Sequence, residues 1–477
     1  MSSPSRITSG FNFHMAENTT TSLETIVGLA KRRGFIFQGS EIYGGLAGTW
    51  DYGPYGTLLK NNIKALWWQH FVSEREDMYG IDSAILMNPR VWEASGHTGA
   101  GFADPLVEDL ETHKRYRADH LLEENGVKGV AELTIAQINA KIVEMKLKSP
   151  DGNALSPARV FNLMFSTQAG PIDDTSAKVY LRPETAQGMF VNFKNILDSM
   201  HPKLPFGIAQ IGKNFRNEIT PRDFIFRVRE LEIMEFEYFF RESDWEATFD
   251  EFYKLSLAWY ERIGLPASQI HELDVPEADR AHYSRKTIDF EFEFPIGTKE
   301  IGGLAYRTDF DLANHAKHSG VDLTYLDSST GERFIPHVIE PTFGLDRNIL
   351  AVLTAGYEEQ DLGAGDSRVV LHLKPELAPV KIAVSPLLRN KPELVQQARQ
   401  VFATLKKNYG SVLYDDNGNI GKRYRRQDEI GTPLCVVIDF DTLEDKAVTV
   451  RHRDTMEQSR VKLADLITEI DALLEKF

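Results

Sequence analysis

Apolar residues recur at three- and four-residue steps over two early segments. SLETIVGLAKRRG (Ser22–Gly34) reads as a helix with Ser22 as N-cap and Gly34 as its stop. TLLKNNIKALWWQHFVSERED follows a glycine-rich loop, and Leu59, Ile63, Leu66, Trp67 and His70 predict a long amphipathic helix. IDSAILMNP then reads as a strand closed by Pro89. Residues 120–157 are polar and helical in pattern, ending in SPDGN, as a surface insertion would be. Residues 181–196 begin as a loop and become a helix. Gly207–Ile211 and Ile225–Phe240 read as strands flanking a hairpin, Glu242–Ile263 as a helix, and TIDFEFEFP as a half-exposed strand. A strand at Pro336–Ile339 and a buried helix at Ile349–Tyr357 come next. Prolines punctuate LHLKPELAPVKIAVSPL, and beyond it helix and strand alternate. That alternation predicts a separate α/β domain of about 100 residues.

A chain of 477 residues exceeds one core and calls for two to four domains. Its net charge of −16 argues against indiscriminate nucleic-acid binding, though not against a specific partner met through a local field. The single cysteine, Cys435, excludes an internal disulfide framework and a cysteine-rich zinc site. It fits a reducing cytoplasm. No apolar run approaches the roughly 20 residues of a spanning helix, so no membrane association is expected. MSSPSRITSGFNFHM lacks the apolar core of a signal peptide. Residues 1–20 read as a disordered tail or an upstream start, with Met15 as an alternative beginning.

Against this acidic background, FRNEITPRDFIFRVRE (Phe215–Glu230) gathers four arginines in sixteen residues. On a strand, residues two apart share a face, so Arg216 projects with Glu218 and Arg227 with Arg229. Guanidinium groups on rigid strands suit phosphate recognition. Glu218, Asp223 and Glu230 could equally tie the same arginines into a cross-strand ion-pair ladder. IEPTFGLDRNIL (Ile339–Leu350) sets Arg347 in the first turn of a helix, where anions are favoured; Asp346–Arg347 could also be a local ion pair. In LRPETAQGMFVNF, Glu184 precedes a helix and could cap it or hold a small cation such as an ammonium group.

Taken with WEASGHTGAGFADPLVED, RTDFDL and GKRYRRQDEIGTP, these segments resemble the glycyl-tRNA synthetases of the homodimeric type, which are class II aminoacyl-tRNA synthetases. The resemblance implies an α+β fold. Its antiparallel sheet flanked by helices would fill residues 21–372, with a polar insertion near 105–160 and a helical segment near 242–285. An anticodon-binding α/β domain would occupy 373–477. It implies a cytoplasmic enzyme that activates glycine with ATP and Mg²⁺, then charges tRNA(Gly), as a homodimer joined through the segment from about Gly53 to Pro89.

The resemblance also implies roles. Arg216 would hold the α-phosphate and the amino-acid carboxylate, Glu218 would accept from the adenine amino group, and Arg347 would reach the terminal phosphates and cover the adenine. Arg227 and Arg229 would lie along the nucleotide, and the turn from Ile219 to Asp223 would face the tRNA acceptor end. The nucleotide site would further include Asn217, Phe226, Val228, Glu230, Leu231, Glu300, Ile301, Gly344, Leu345 and Asp346, with Glu300 a Mg²⁺ ligand. Glycine would meet Arg117, Glu184, Leu231, Glu232, Ile233, Met234, Glu235, Arg307, Glu340, Pro341, Thr342, Phe343 and Gly344. Lys422, Arg423, Arg425 and Arg426 would form a basic patch for tRNA, or else a solvated helix face paired with Asp428 and Glu429.

Two departures from the family pattern stand out. Leu231 replaces a phenylalanine that stacks on adenine, a loss Phe226 could offset, and Thr342 replaces a serine. His113 lacks the cysteine pairs some bacterial relatives carry nearby, so no zinc is expected. The rival reading is a catalytically silent relative that binds nucleic acid as an accessory subunit; it would be expected to lose Arg216 and Arg347. A synthetase for histidine, proline or threonine is a third reading, disfavoured by LRPETAQGMFVNF.

Overall fold

The computed structural model describes residues 21–99, 102–130, 133–171, 177–363 and 365–477. The expected tail over 1–20 lies outside them. A seven-stranded sheet organises the larger part of the chain. Its strands are β1 (Met78–Gly80), β2 (Phe206–Phe215), β3 (Glu230–Phe240), β4 (Ile270–Asp274), β5 (Lys286–Phe294), β6 (Gly297–Thr308) and β7 (His337–Gly344). The order across the sheet is β4-β5-β6-β7-β3-β2-β1. Every pair is antiparallel except β2 with β1.

Side chains of β3 sort by the two-residue period of a strand. Met234, Phe236, Tyr238 and Phe240 join one apolar cluster. They pack with α1 (Pro54–Trp68) and α3 (Trp245–Arg262), whose Trp67 and Trp259 are fully buried. The same cluster takes in the buried face of α5 (Leu345–Gly356). Phe71 bridges this layer, with ring centroids 5.4 Å from Phe236 and 5.1 Å from Phe343. On the other face, Phe239 meets Phe193 of α2 (Ala186–Met200) at 4.7 Å and joins a cluster with Leu312 of α4 (Phe310–Ser319). Glu235 and Glu237 share that second face by the same alternation.

Several elements differ from their expected form. IDSAILMNP is not a strand: the strand is Met78–Gly80, and pairing ends with the Ile81 N–H donated to Ala209. Asn88 and Pro89 then start the helix Pro89–Ala94, which pulls the chain off the sheet. The expected strand from Ile225 becomes regular only at Glu230, because Asp223 and Phe224 adopt left-handed backbone conformations and fold Phe224 and Ile225 into the core. The segment near 242–285 is helical only through α3; the break at Gly264–Pro266 releases edge strand β4, which pairs with β5. The insertion contains the expected helices, Ala118–Glu124 and Ile135–Glu144. It also forms a three-stranded sheet of Ala103–Glu108, Arg115–Arg117 and Arg159–Asn162 over its own apolar cluster.

After residue 373 a second sheet forms from β8 (Ile382–Pro386), β9 (Val412–Tyr414), β10 (Leu434–Ile438), β11 (Ala447–His452) and β12 (Gln458–Lys462). Its order is β9-β8-β10-β11-β12, with β8 parallel to both neighbours. Helix α6 (Pro392–Tyr409) and the C-terminal helix Leu466–Leu474 join it in a separate apolar cluster, while α7 (Ile420–Glu429) buries only polar residues, Arg423, Gln427 and Asp428.

Candidate active site

The hairpin between β2 and β3 carries Arg216 at its root. The Arg216 amide donates to the Arg229 carbonyl at 2.9 Å, which locks the strand ends together. The Arg216 Nε donates to the Pro183 carbonyl at 3.1 Å, and the guanidinium lies 5.8 Å from the Phe102 ring centroid. Among the described residues no carboxylate pairs with Arg216. It therefore escapes the ion-pair ladder that takes in other hairpin residues, Arg222 with Asp223 at 3.5 Å and Lys213 with Glu230.

Opposite Arg216, Arg347 stands in the first turn of α5. Its guanidinium lies 4.5 Å from the Phe226 ring centroid, and its Nη1 reaches the Glu300 carboxylate at 2.9 Å. Arg227 sits 3.7 Å from Glu218, and burial lowers its pKa. Arg216, Glu218, Phe226, Arg227, Val228, Leu231, Ile301, Gly344 and Arg347 line one cleft. Leu231 offers it an apolar wall without a π-face, and Phe226 supplies the ring nearby.

The structure does not bring every expected nucleotide contact into that cleft. Arg229 donates to the carbonyls of Glu218 and Ala47, so its guanidinium serves the hairpin itself. Asn217 pairs through its amide with Leu163, and Glu230 is exposed beside Lys213. Leu345 is buried in the core. Asp346 does line the cleft, but its carboxylate accepts from the Tyr52 hydroxyl at 2.5 Å and the Glu232 amide at 2.8 Å, which pins the start of α5.

A second pocket adjoins the first, sharing Arg216, Ile233, Glu300 and Thr342 with it. Glu184, Glu235 and Glu340 converge there. His97 Nε2 lies 3.2 Å from Glu184, and Gln187 Nε2 donates to Glu184 at 2.9 Å. Burial opposes ionisation of Glu184, but His97, Arg307 and the Gln187 bond hold it well below the usual carboxylate range. Glu235 accepts from Thr185 at 2.9 Å; burial first, then Glu340 and Glu184, push it up to about 8. Glu237 lies behind it, fully buried, with both oxygens unpartnered among the described residues.

Arg307 backs one wall without lining the pocket itself: it is only 1% exposed and lies behind Glu340 and Tyr283, which do line it. Its Nε and Nη2 donate to Asp311 at 2.8 and 3.0 Å, and its Nη1 to Glu340 at 2.7 Å. The Tyr283 ring centroid lies 3.7 Å from the guanidinium. The ion pair with Asp311 fixes that guanidinium in place.

Strand parity removes several expected glycine contacts. The Glu232 carboxylate points to α1, 2.6 Å from Lys60 and 2.5 Å from Lys64. Met234 and Phe343 are buried in the aromatic core, and Pro341 alternates away between Glu340 and Thr342. Arg117 sits on the insertion, paired with Asp104 at 3.0 Å and Asp119 at 2.5 Å, outside the lining of either pocket. The residues missed in sequence are His97, Gln187, Tyr283 and Asp289, whereas Asp311 is the partner that RTDFDL offers Arg307. His97 and Gln187 lie inside segments that carry the resemblance, WEASGHTG and LRPETAQG; position within a motif was the available signal.

Glu300 is half exposed and faces the cleft. Asp289 lines the adjoining pocket with it; burial, then Glu300 and Glu291, push Asp289 up to about 7. Two oxygen-donor carboxylates that repel one another fit a hard divalent cation such as Mg²⁺. Glu235, Glu237 and Glu340 form the one group of three whose ligand atoms lie within 4.8 Å of one another among the described residues. Arg307 already supplies a cation to that group.

In the C-terminal domain the four expected basic residues part ways. Lys422, Arg425 and Arg426 line a shallow groove with Arg33. Arg425 pairs with Asp366 at 2.8 Å and Arg426 with Asp415 at 2.8 Å. Arg423 turns inward, 2% exposed, and donates to the carbonyls of Pro386, Asp416 and Gly418. It is a structural residue, which corrects the expectation of a four-residue phosphate patch. Asp428 and Glu429 do not neutralise the patch either: Asp428 pairs with Arg368 and Arg451, and Glu429 with Arg32 and Arg33.

Residues 165–355 match the family model of the tRNA synthetase class II core domain (G, H, P, S and T), and residues 381–473 match that of the anticodon binding domain. The chain is 48% identical to a glycine–tRNA ligase of Alkaliphilus oremlandii over 464 residues, covering 96% of this chain and 99% of that one. It is 48% identical to that of Geobacillus thermodenitrificans over 95% of this chain and 98% of the other. It is 46% identical to that of Thermus thermophilus over 94% and 97%. A cleft lined with cations, an adjoining carboxylate pocket and near full-length similarity converge: the chain belongs to the glycine–tRNA ligase family of class II aminoacyl-tRNA synthetases.

Proposed function

We infer that this chain is a glycine–tRNA ligase that uses ATP, glycine and tRNA(Gly) as substrates. A glycine carboxylate oxygen attacks the α-phosphorus of ATP, and pyrophosphate leaves with the electron pair of the broken P–O bond. A terminal ribose hydroxyl of tRNA then attacks the glycyl carbonyl, and AMP leaves. Two anions must meet in the first step, and fixed cations in a pocket of low dielectric favour that meeting more than water does. Arg216 has no competing carboxylate among the described residues and stands where the two pockets join, and this one observation carries the assignment. Its guanidinium contacts both the glycine carboxylate and the α-phosphate. Arg347 takes the outer phosphates, with Arg227 beside the nucleotide and Glu218 at the adenine end.

Glu184, Glu235 and Glu340 receive the glycine ammonium group. Arg307 denies space to any larger side chain, a steric rejection rather than a missing contact. Glu300 would hold Mg²⁺ with Asp289 at its side; when bound, the ion offsets charge on the ATP phosphates. Residues 21–372 form the catalytic unit and 373–477 the anticodon-binding unit, with Lys422, Arg425 and Arg426 along the tRNA path. The active form is a cytoplasmic homodimer joined through the segment Gly53–Pro89. No helix of the described residues is long and apolar enough to cross a membrane.

ATP–pyrophosphate exchange measured with each of the twenty amino acids tests the reading. Exchange with glycine alone is expected. Exchange with none favours a silent nucleic-acid-binding relative, and exchange with another amino acid reassigns the pocket.

A further inference from the structure

Gln187 is fully buried between α2 and α4 and touches both halves of the carboxylate pocket. Its Nε2 donates to Glu184 Oε1 at 2.9 Å and to Asp311 Oδ1 at 3.1 Å. Its Oε1 lies 2.7 Å from His315 Nε2. Both amide hydrogens and an oxygen lone pair are thereby used. Only one orientation of the amide works. Reversed, its oxygen would face two carboxylates and its NH₂ would face the imidazole donor. His315 therefore carries a proton on Nε2, and burial lowers its pKa, which favours the neutral ring.

The chemistry of the donor matters. A lysine or arginine at this position would also orient Glu184, but its charge would cancel the field an ammonium group needs. A neutral amide orients the carboxylate and leaves its charge for the ligand. On the other side, His97 Nε2 approaches the second Glu184 oxygen at 3.2 Å, and His97 Nδ1 is held 2.8 Å from Ser95 Oγ. Asp311, the other acceptor of Gln187, is the carboxylate that grips Arg307 through two bonds. One side chain thus ties the ammonium-binding acid to the wall that limits side-chain size.

We infer that Gln187 is a positioning residue for glycine recognition, aligning Glu184 and the Asp311–Arg307 wall, with His315 setting the direction of its amide. This rests on the reading of Glu184 as a ligand of the glycine ammonium group. The proposal predicts an effect on glycine, not on ATP, because no polar atom of Gln187 contacts the nucleotide cleft.

ATP–pyrophosphate exchange with glycine varied tests it. Gln187→Met keeps the volume and removes all three bonds; the glycine KM should rise about tenfold or more, as loss of a hydrogen bond to a charged group implies. The ATP KM should stay unchanged. Glu184→Gln should raise the glycine KM by itself, and the double variant should be no worse than the more impaired single one. His315→Phe should raise the glycine KM, while His315→Gln, which keeps an N–H, should restore it. Wild-type glycine KM in Gln187→Met, or strictly additive effects with Glu184→Gln, overturns the proposal. Should Gln187→Met fail to fold, His315→Phe decides, and a wild-type glycine KM there overturns it. An unchanged glycine KM in Glu184→Gln would instead overturn the ammonium reading on its own.

Discussion

Glu235 sits where two other carboxylates and the loss of water all oppose its ionisation. With its carboxyl pushed up to about 8, the empty pocket retains a proton at neutral pH. An arriving ammonium group favours the charged form, so binding expels that proton. The sign follows: the glycine KM should fall as pH rises from 6.5 towards 8, and calorimetric binding enthalpies at pH 7 should differ between buffers of different ionisation enthalpy. A buffer-independent enthalpy would contradict the assignment. The same raised value means that, without glycine, this group lowers stability progressively as pH rises from its ordinary 4.5 to about 8. Arg216 makes a second residue-scale case. One carbonyl bond and one ring contact hold it, so Arg216→Ala should fold normally yet lose exchange by about a hundredfold or more. Comparison of melting curves and exchange rates on one preparation checks this. Arg216, Arg347 and Glu184 were legible because they stand inside short motifs. The contacts between motifs were not, because His97 meets Glu184, and Gln187 meets Asp311, across segments widely separated in sequence. A contiguous block from Leu231 to Glu235 was also too generous, since a strand sends Glu232 and Met234 to the far face.

Helix α1 was legible from its spacing of apolar residues, but its closeness to the Phe35 backbone was not. A Cβ on Gly56 would lie 1.8 Å from the Phe35 carbonyl oxygen, a backbone atom that cannot rotate away. Gly56→Ala should therefore push α1 away from the Phe35 backbone and cost about 2 kcal/mol or more, as overpacking does in a dense core. Thermal or urea denaturation reads the loss; a variant as stable as the parent would show that the helix slides freely. Elements with sustained periodicity came through the same way, including α3, α6 and the alternating strand β5. Failures arose where local pattern competed with tertiary demands. IDSAILMNP has strand-like apolar content, yet the chain leaves the sheet there to begin the next helix. Phe224 and Ile225 look like strand residues and instead plug the core from a turn. The insertion read as helical because its three strands are short and the third joins only by pairing across some fifty residues, which no local period reports.

At the scale of the molecule, the boundary near residue 373 was legible from prolines and from the onset of strand–helix alternation, but the bond across it was not. Asp428 of α7 is 1% exposed and bridges Arg368, which follows the catalytic sheet, and Arg451 of β11. Arg453 adds bonds to the Leu373 and Gly431 carbonyls, and Glu429 holds Arg32 and Arg33 from the other direction. Two guanidinium groups share one buried carboxylate, so removing it strands both in a medium that solvates them poorly. Asp428→Asn preserves shape and deletes the charge; the expected cost is about 3–5 kcal/mol, the range for breaking a buried ion pair from one side. The catalytic pockets lie on the other side of the junction and keep their own supports. Glycine-dependent exchange per folded molecule should therefore persist in Asp428→Asn. Transfer to tRNA, which needs acceptor end and anticodon engaged at a fixed separation, should fall further. Calorimetry should show the melting transition lowered and split in two. Equal losses in exchange and transfer with a single unshifted transition would mean that the two units are not coupled through this carboxylate.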